Sequence, residues 1–201
     1  MLKNRLTQQQ KAAIYIFEEG DPNENPWVKG KPEQVHIEIV AHDPDWLARF
    51  SVQKSLIKSA LGDLVLSIDH VGSTAVEGLA AKPIIDIDLI VENPEDEASY
   101  LPALEALGYE HTIRESSWYQ HRMLKLHHPM VNLHVFGKDC PEYHRHLLFK
   151  EWLQTHPDDL EDYAAIKEIA KNNVNTMQDY NQKKQDVVRG IYQKIFESLH
   201  D

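Results

Sequence analysis

The sequence predicts an α/β fold that carries an N-terminal helical extension and a C-terminal helical cap. Residues 84–91 form a β-branched run broken by two aspartates, which is typical of a buried central strand. Residues 123–126 and 130–136 have the composition of two further strands. From Tyr143 onward, apolar residues recur three and four positions apart, as on helices with one buried face. Strands in mid-chain and helices at both ends predict the class.

The first third of the chain predicts two helices and a strand. Residues 7–19 carry apolar side chains at helical spacing before a Gly-Asp-Pro-Asn break, so we expect a helix and then a polar loop at 23–32. Residues 35–40 alternate apolar and polar side chains and predict a strand. Asp43-Pro44-Asp45 begins a second predicted helix that Gly62 ends, since proline suits a first turn and glycine a C-terminal cap.

The rest of the chain predicts the remaining elements in order. Residues 64–69 are apolar enough for a strand, which precedes the central strand already described. Residues 94–107 predict a helix closed by Gly108. Beyond the two following strands, helices are expected through Val174, and residues 187–199 carry the apolar stripe of a final helix.

Length and composition fit one compact domain with an extension. The chain has 201 residues, of which 42% are hydrophobic. We predict an extension of helix and loop at residues 1–34 and a domain at residues 35–199, whose helical cap begins at about residue 143. Two roles stay open for the added N-terminal helix, which are mediating a dimer and covering a sheet edge.

Charge and cysteine content exclude several classes of function. The formal net charge is −11 and no long run of Lys and Arg occurs, so an extended surface for duplex nucleic acid is not expected. Cys140 is the single cysteine, which rules out an internal disulfide. No apolar signal core and no stretch of about 18 apolar residues occurs, so we expect a cytoplasmic protein without a membrane span.

Two motifs indicate a site for phosphates and a metal. Gly72-Ser73 follows a predicted strand and can form a tight turn, and Ser73 or Thr74 could cap a short helix whose N–H groups favour an anion. Asp86 and Asp88 lie on one face of the central strand because strand side chains alternate. Adjacent buried carboxylates require a cation, and their oxygens suit Mg²⁺ or Mn²⁺. The alternatives are an ordinary turn and solvated aspartates on an edge strand.

These residues carry a family resemblance. Residues 68–76 read IDHVGSTAV and residues 78–87 read GLAAKPIIDI, and both stretches resemble the GrpB-like family (UPF0157) of the nucleotidyltransferase superfamily. The resemblance covers roughly residues 35–197. It implies a nucleotidyltransferase-like mixed sheet flanked by helices. It also implies metal-assisted transfer of a nucleotidyl group from a nucleoside triphosphate to an acceptor that the sequence does not name.

His134 departs from the pattern of the superfamily. A standard nucleotidyltransferase supplies a third carboxylate from the neighbouring strand, whereas this chain has His134 there, as the GrpB-like family usually does. Neutral imidazole can ligate a transition metal or act as a base, so we predict His134 as a catalytic residue and third metal ligand. The alternative role is a hydrogen bond within the sheet. A degenerate site would instead make the domain a non-catalytic nucleotide-binding or regulatory module.

Basic residues elsewhere in the chain are candidates for binding the triphosphate. Arg122 and Lys125 lie on one predicted strand, and Arg145 and His146 near the start of the cap, so that both pairs could converge above the carboxylates. Ordinary surface pairing with the many acids is the alternative for each pair. Lys82 and Lys184 complete the predicted phosphate-binding set, Lys184 because superfamily relatives place phosphate contacts on the cap helices.

Overall fold

The computed structural model describes residues 5–30, 38–172 and 176–199. Within these ranges lie six α-helices and five strands. In chain order they are α1 (Gln8–Ile14), α2 (Asp45–Leu61), β1 (Ser67–Val71), β2 (Ile85–Val91), α3 (Glu97–Ala106), β3 (Glu110–Glu115), β4 (His121–Leu126), β5 (Val131–Gly137), α4 (Pro141–Thr155), α5 (Pro157–Ala170) and α6 (Met177–Ser198). No helix in the described ranges is long and apolar enough to cross a bilayer.

The five strands form one mixed sheet in the order β1-β2-β5-β4-β3. β2 and β5 are parallel neighbours at its centre, whereas the other three pairings are antiparallel. The β-branched composition of β2 fits this position, because a central strand is buried on both faces. The predicted α/β class, with a mixed sheet flanked by helices, is therefore confirmed.

The two faces of the sheet carry different side chains. On one face, the main apolar core joins the sheet to α2 and α3 through residues such as Ile57, Ile87, Tyr100 and Leu133. The other face carries polar side chains of β2 and β5, and α4 lies over it. A second apolar cluster joins α1 to the C-terminal helices, among them Ile14, Leu148 and Ile195. The candidate site lies between these two cores.

Several predicted boundaries differ from the structure. The first helix ends at Ile14 rather than at residue 19, because the carbonyls of Ile14 and Ile16 accept hydrogen bonds from Arg145. β1 begins at Ser67 rather than at residue 64, because Gly62–Leu64 forms a 3₁₀ turn that follows α2. β3 was not predicted, since its sequence EHTIRE is too polar to stand out as a strand.

The strand predicted at residues 35–40 is described only in part. Residues 35–37 lie outside the described ranges, as does Val174. Within the described part of that segment, Val40 forms an isolated antiparallel bridge to Ala81. The other predicted strands and helices have counterparts near the expected positions.

Both edges of the sheet are engaged by other parts of the chain. At β3, the backbone N–H of Arg114 donates to the carbonyl of Pro26, and Val28 donates to Thr112. The loop that follows α1, rather than the helix itself, thus covers this edge of the sheet. At β1, the carbonyls of Ile68 and His70 accept hydrogen bonds from the ammonium groups of Lys54 and Lys150.

Candidate functional site

Strand register brings the two predicted carboxylates beside polar residues of β5. Asp86 is paired with Asn132 and Asp88 with His134 across the parallel β2–β5 ladder. Lys125 of β4 is in turn paired with Asn132, so its side chain leaves the same face of the sheet. The residues that we predicted from period-two alternation therefore share one surface.

Asp86 lies against the turn that follows β1. Its Oδ1 accepts a hydrogen bond of 2.9 Å from the amide of Asn132. A Cβ atom built on Gly72 would lie 2.5 Å from Oδ2 of Asp86. Burial raises the pKa of Asp86, although the Asn132 hydrogen bond and Lys82 act in the opposite direction. The lack of a side chain at Gly72 lets the turn and the carboxylate touch.

Asp88 is completely buried and only half satisfied. Its Oδ2 accepts a 2.8 Å hydrogen bond from Nδ1 of His146, whereas its Oδ1 has no hydrogen-bond partner among the residues that the structure describes. Burial raises the pKa of Asp88, and the neighbouring imidazole opposes this. A buried carboxylate oxygen without a partner is costly, and this makes Oδ1 the natural point of contact for a ligand.

His146 lies between two carboxylates. Its Nδ1 faces Asp88 and its Nε2 lies 3.3 Å from Oε1 of Glu142. Burial alone would lower the pKa of His146, but the two carboxylates raise it well above the usual value. The ring is therefore an imidazolium that neutralises part of the acidic charge.

His134 has a different set of partners. Its Nδ1 shares a 3.0 Å hydrogen bond with Nε2 of His121, and Nδ1 of His121 donates to Glu115 at 2.7 Å. Burial and the imidazoles of His121 and His146 hold the pKa of His134 well below its usual value, so its ring is neutral. His121 was not among the predicted site residues. The signal was its position, because His121, Met123 and Lys125 alternate onto one face of β4.

Lysines from three parts of the chain gather near Asp86. The ammonium of Lys82 lies 4.7 Å from the centre of the Tyr180 ring, and that of Lys184 lies 4.3 Å from it. Lys167 of α5, which the predicted set did not include, donates to the carbonyl of Ala80. Asp86 interacts electrostatically with all three ammonium groups. The cluster is a concentration of positive charge on a chain of net negative charge.

Crowding changes the acidity of these lysines. Burial, together with Lys184 and Lys82, lowers the pKa of Lys167 to about 7. Burial and Lys82 lower the pKa of Lys184 to about 8. Lysines that repel one another in a half-buried cluster gain most from an anion that holds them together.

The turn at Gly72-Ser73 differs from the prediction. Ser73–Ala75 is a single 3₁₀ turn of three residues, and no side chain caps it. Neither Ser73 nor Thr74 therefore caps a helix there. The hydroxyl of Thr74 is instead hydrogen-bonded to His70 and to the carbonyl of Ile84. The hydroxyl of Ser73 shares a side-chain hydrogen bond with Tyr163.

The expected position of Arg122 is wrong. Arg122 and Lys125 are three residues apart, so their side chains leave opposite faces of β4. Arg122 is buried on the far face, where it pairs with Glu97 of α3, a carboxylate that also binds Arg114. Arg122 therefore cannot reach the carboxylates of β2.

The expected position of Arg145 is also wrong. Its guanidinium is buried and turned toward the N-terminal segment, where it donates to the carbonyls of Ile14 and Ile16 and to the hydroxyl of Tyr119. Its remaining donors bind Glu142. All its N–H groups are thus engaged away from a phosphate, because the residue lies on a different side of α4 from His146.

A cavity of about 650 Å³ opens next to these residues. Asp86 and Asp88 are not among its lining residues, and His146 and Glu142 stand between it and Asp88. Its walls come from the Gly72 turn, α4, α5 and α6. The lining residues are Gly72, Ser73, Glu142, His146, Phe149, Lys150, Leu153, Tyr163, Asn181, Gln182, Lys184, Gln185, Val188 and Tyr192. Its size and partly apolar walls suit a small organic ligand.

A family model, a relative and a solved structure indicate the same family. A model of the family described as GrpB protein matches residues 36–194. The chain is 40% identical over 165 residues to a UPF0157 protein of Halalkalibacterium halodurans, which covers 82% of this chain and 85% of that protein. The crystal structure of the conserved protein GrpB from Enterococcus faecalis matches with a TM-score of 0.71 and 25% identity, over 82% of this chain and 100% of that one.

A structure of the Cid1 poly(U) polymerase also matches, with a TM-score of 0.45 and 13% identity. The match covers 72% of this chain and 49% of that one. At this level the similarity carries no argument about activity.

Proposed function

The chain belongs to the GrpB family, and we propose that its site binds a nucleoside triphosphate and transfers the nucleotidyl group to an acceptor with the help of a divalent metal. The family predicted from residues 68–76 and 78–87 is confirmed. The reaction, the nucleotide and the metal are our proposals.

The proposal rests on one observation. The Gly72-Ser73 turn contacts Asp86, and three lysines lie near this contact. A triphosphate needs positive charge along its length, and Lys82, Lys167 and Lys184 can supply it. The cavity begins at the same turn and extends to the apolar side chains of α4 and α6, which offer room for a nucleoside.

The residues present fit a divalent cation in part. Asp86 and Asp88 offer hard oxygen ligands, and the unpartnered Oδ1 of Asp88 is suited to one. Within the described ranges, no group of three or more His, Cys, Asp or Glu side chains is arranged to hold a metal ion. The sequence predicted His134 as a third ligand, but the described residues do not arrange it with Asp86 and Asp88 to hold a metal, and its Nδ1 is hydrogen-bonded to His121. We therefore propose Asp86 and Asp88 as the ligands, with phosphate oxygens completing the set. The bound cation would neutralise charge on the phosphates as they react.

The proposed step is an exchange of phosphate esters. The acceptor hydroxyl forms a bond to the α-phosphorus, the bond from that phosphorus to the bridging oxygen breaks, and pyrophosphate leaves. The hydroxyl proton needs a base, and His134 is our candidate because its ring is neutral and lies beside Asp88 in the register. The lysines hold the leaving pyrophosphate.

A second candidate function has one observation in its favour. The imidazolium of His146 already pairs with Asp88, so one carboxylate is neutralised without a metal. A domain of this kind could bind a nucleotide and regulate a partner without turnover. Release of pyrophosphate on addition of acceptors separates the two functions, since a binding module would release none.

Calorimetric titration with each of the four ribonucleoside triphosphates, with and without Mg²⁺ or Mn²⁺, tests the proposal. We expect metal-dependent binding that Asp86→Asn combined with Asp88→Asn abolishes. Asp69→Asn is the matched control, because Asp69 lies opposite Asp88 on β1 and its Oδ2 accepts from the hydroxyls of Ser67 and Tyr143.

Binding that survives in Asp69→Asn and is lost in the double variant would support the site at Asp86 and Asp88. Equal loss in both would indicate a general effect of charge on the fold. A folded native chain that binds no triphosphate under any of these conditions would overturn the proposal.

A further inference from the structure

The N-terminal segment, defined as residues 5–30, lies outside the stretch that the family model matches. We propose that this segment is part of the site and that Arg145 is the positioning residue through which it fixes His146 on Asp88. The consequence for ligand binding rests on the proposed function, whereas the positioning itself can be measured without a nucleotide.

Arg145 obtains two of its four hydrogen-bond acceptors from this segment. Its Nη1 donates to the carbonyls of Ile14 at 3.2 Å and Ile16 at 3.1 Å. The ring of Phe17 lies 4.6 Å from the guanidinium carbon. These two carbonyls are close to the end of α1, where helix carbonyls lack partners within the helix. The segment therefore stabilises a charge that is only 1% exposed.

The link from Arg145 to the site passes through Glu142. Nε of Arg145 donates to Oε2 of Glu142 at 2.8 Å, and the other oxygen of Glu142 faces Nε2 of His146. His146 then reaches Asp88 with its second nitrogen. Since Glu142 is held by Arg145, the orientation of the His146 ring depends on contacts made by residues 14–17.

The same segment also holds the loop before β4. Glu24 accepts from the backbone N–H groups of Ser116 and Ser117, and the indole of Trp118 donates to the carbonyl of Glu18. This loop connects Glu115 to His121 in the chain. The side chains of these two residues are hydrogen-bonded to each other, and His121 is also hydrogen-bonded to His134. The N-terminal segment is thus connected to both histidines beside Asp88, by two separate routes.

The effects of variants distinguish a purely structural role of Arg145 from a positioning role. If Arg145 only attaches α1, any variant that loosens α1 should act alike. If Arg145 positions His146, variants at Arg145 and Phe17 should change the His146 ring, and a variant at the other end of α1 should not. Gln10 supplies that variant, because it caps α1 and binds Asp139 without touching Arg145.

We would record the ring N–H signals of ¹⁵N-labelled histidines in the native chain and in Arg145→Lys, Phe17→Leu and Gln10→Ala. His146→Gln assigns the signals. Lysine keeps the charge but lacks the planar fork, so it cannot serve the two carbonyls and Glu142 together. Thermal unfolding and calorimetry with Mn²⁺ and the triphosphate that the native chain binds are measured in parallel.

We expect Arg145→Lys to broaden or remove the signal of the His146 Nε2–H, the group that faces Glu142. The affinity for the triphosphate in the presence of Mn²⁺ should fall about tenfold. Phe17→Leu should do the same to a smaller degree. Gln10→Ala should lower the unfolding temperature and leave the His146 signals unchanged.

If Arg145→Lys and Gln10→Ala lower the unfolding temperature by similar amounts, and the His146 signals in both variants match those of the native chain, the positioning role is wrong. If the native chain binds no triphosphate while the signals change as expected, the proposed function fails and the positioning stands.

Discussion

At the scale of single residues, Gly72 is the position on which the site depends most directly. Its φ of 68° and ψ of −171° lie in a region that is essentially restricted to glycine. The same residue leaves room for Asp86, which a Cβ atom would meet. The two requirements are separate, since one concerns the backbone and the other the neighbouring carboxylate.

Gly72→Ala should therefore destabilise the fold by about 1–3 kcal/mol and also displace Asp86. We expect a loss of metal-dependent nucleotide binding beyond what the lower stability explains. The matched control is Gly78→Ala, because Gly78 has a similar φ of 78° and its added Cβ meets no described atom within 4 Å beyond its chain neighbours. Urea unfolding and calorimetry on both variants check this, and equal effects on binding would contradict the role given to the Asp86 contact.

At the scale of elements, β4 shows how a strand assigns side chains to different tasks. Lys125 lies on the face that carries the aspartates, and Arg122 lies on the face packed against α3. The spacing of the two residues was visible in the sequence, and strict alternation would have separated them. Alternation along the strand does not predict the partner of Arg122, because Glu97 reaches Arg122 only when α3 is packed on the sheet.

Arg122→Ala should lower the free energy of unfolding by about 2–4 kcal/mol, because it removes a buried partner of Glu97. We expect its affinity for inorganic tripolyphosphate to be unchanged while the variant is folded. Lys125→Ala should show the reverse, with little change in urea unfolding and a several-fold weaker affinity. If Arg122→Ala instead binds tripolyphosphate more weakly, Arg122 contributes to phosphate binding as the sequence first predicted.

At the scale of the whole molecule, the site is assembled from distant parts of the chain. Lys82 precedes β2, Lys167 belongs to α5 and Lys184 to α6, and they meet near Asp86. Each lysine would be unremarkable alone. Together they make a cluster whose charge depends on pH within an accessible range.

The affinity for tripolyphosphate should fall as pH rises from 6.5 to 9, on the order of tenfold, because Lys167 and Lys184 lose protons near pH 7 and pH 8. Their pKa values are lower in the folded chain than in the unfolded chain, so unfolded chains bind more protons above pH 7. The ligand-free protein should therefore gain stability from these groups as pH rises toward 10. Calorimetry and thermal unfolding at several pH values check both trends, and Lys167→Met should flatten them.

The sequence predicted the parts of this molecule that follow from local periodicity. The alternation of β2 placed Asp86 and Asp88 together, and the helix end at Gly62 followed from the cap. Arg145 could not be placed in this way, because its partners Ile14, Ile16 and Tyr119 are backbone carbonyls and a hydroxyl far away in the chain. β3 was missed for a related reason, since a polar strand is stabilised by its neighbours.

The engaged edges of the sheet have a consequence for how copies of this chain can meet. Pro26 and Val28 occupy the outer side of β3, and lysines from α2 and α4 bind carbonyls of β1. A strand from another molecule would have to displace these groups before it could pair. Growth of the sheet from one molecule into the next is therefore disfavoured at both ends, and concentrated solutions should resist fibril formation by this route.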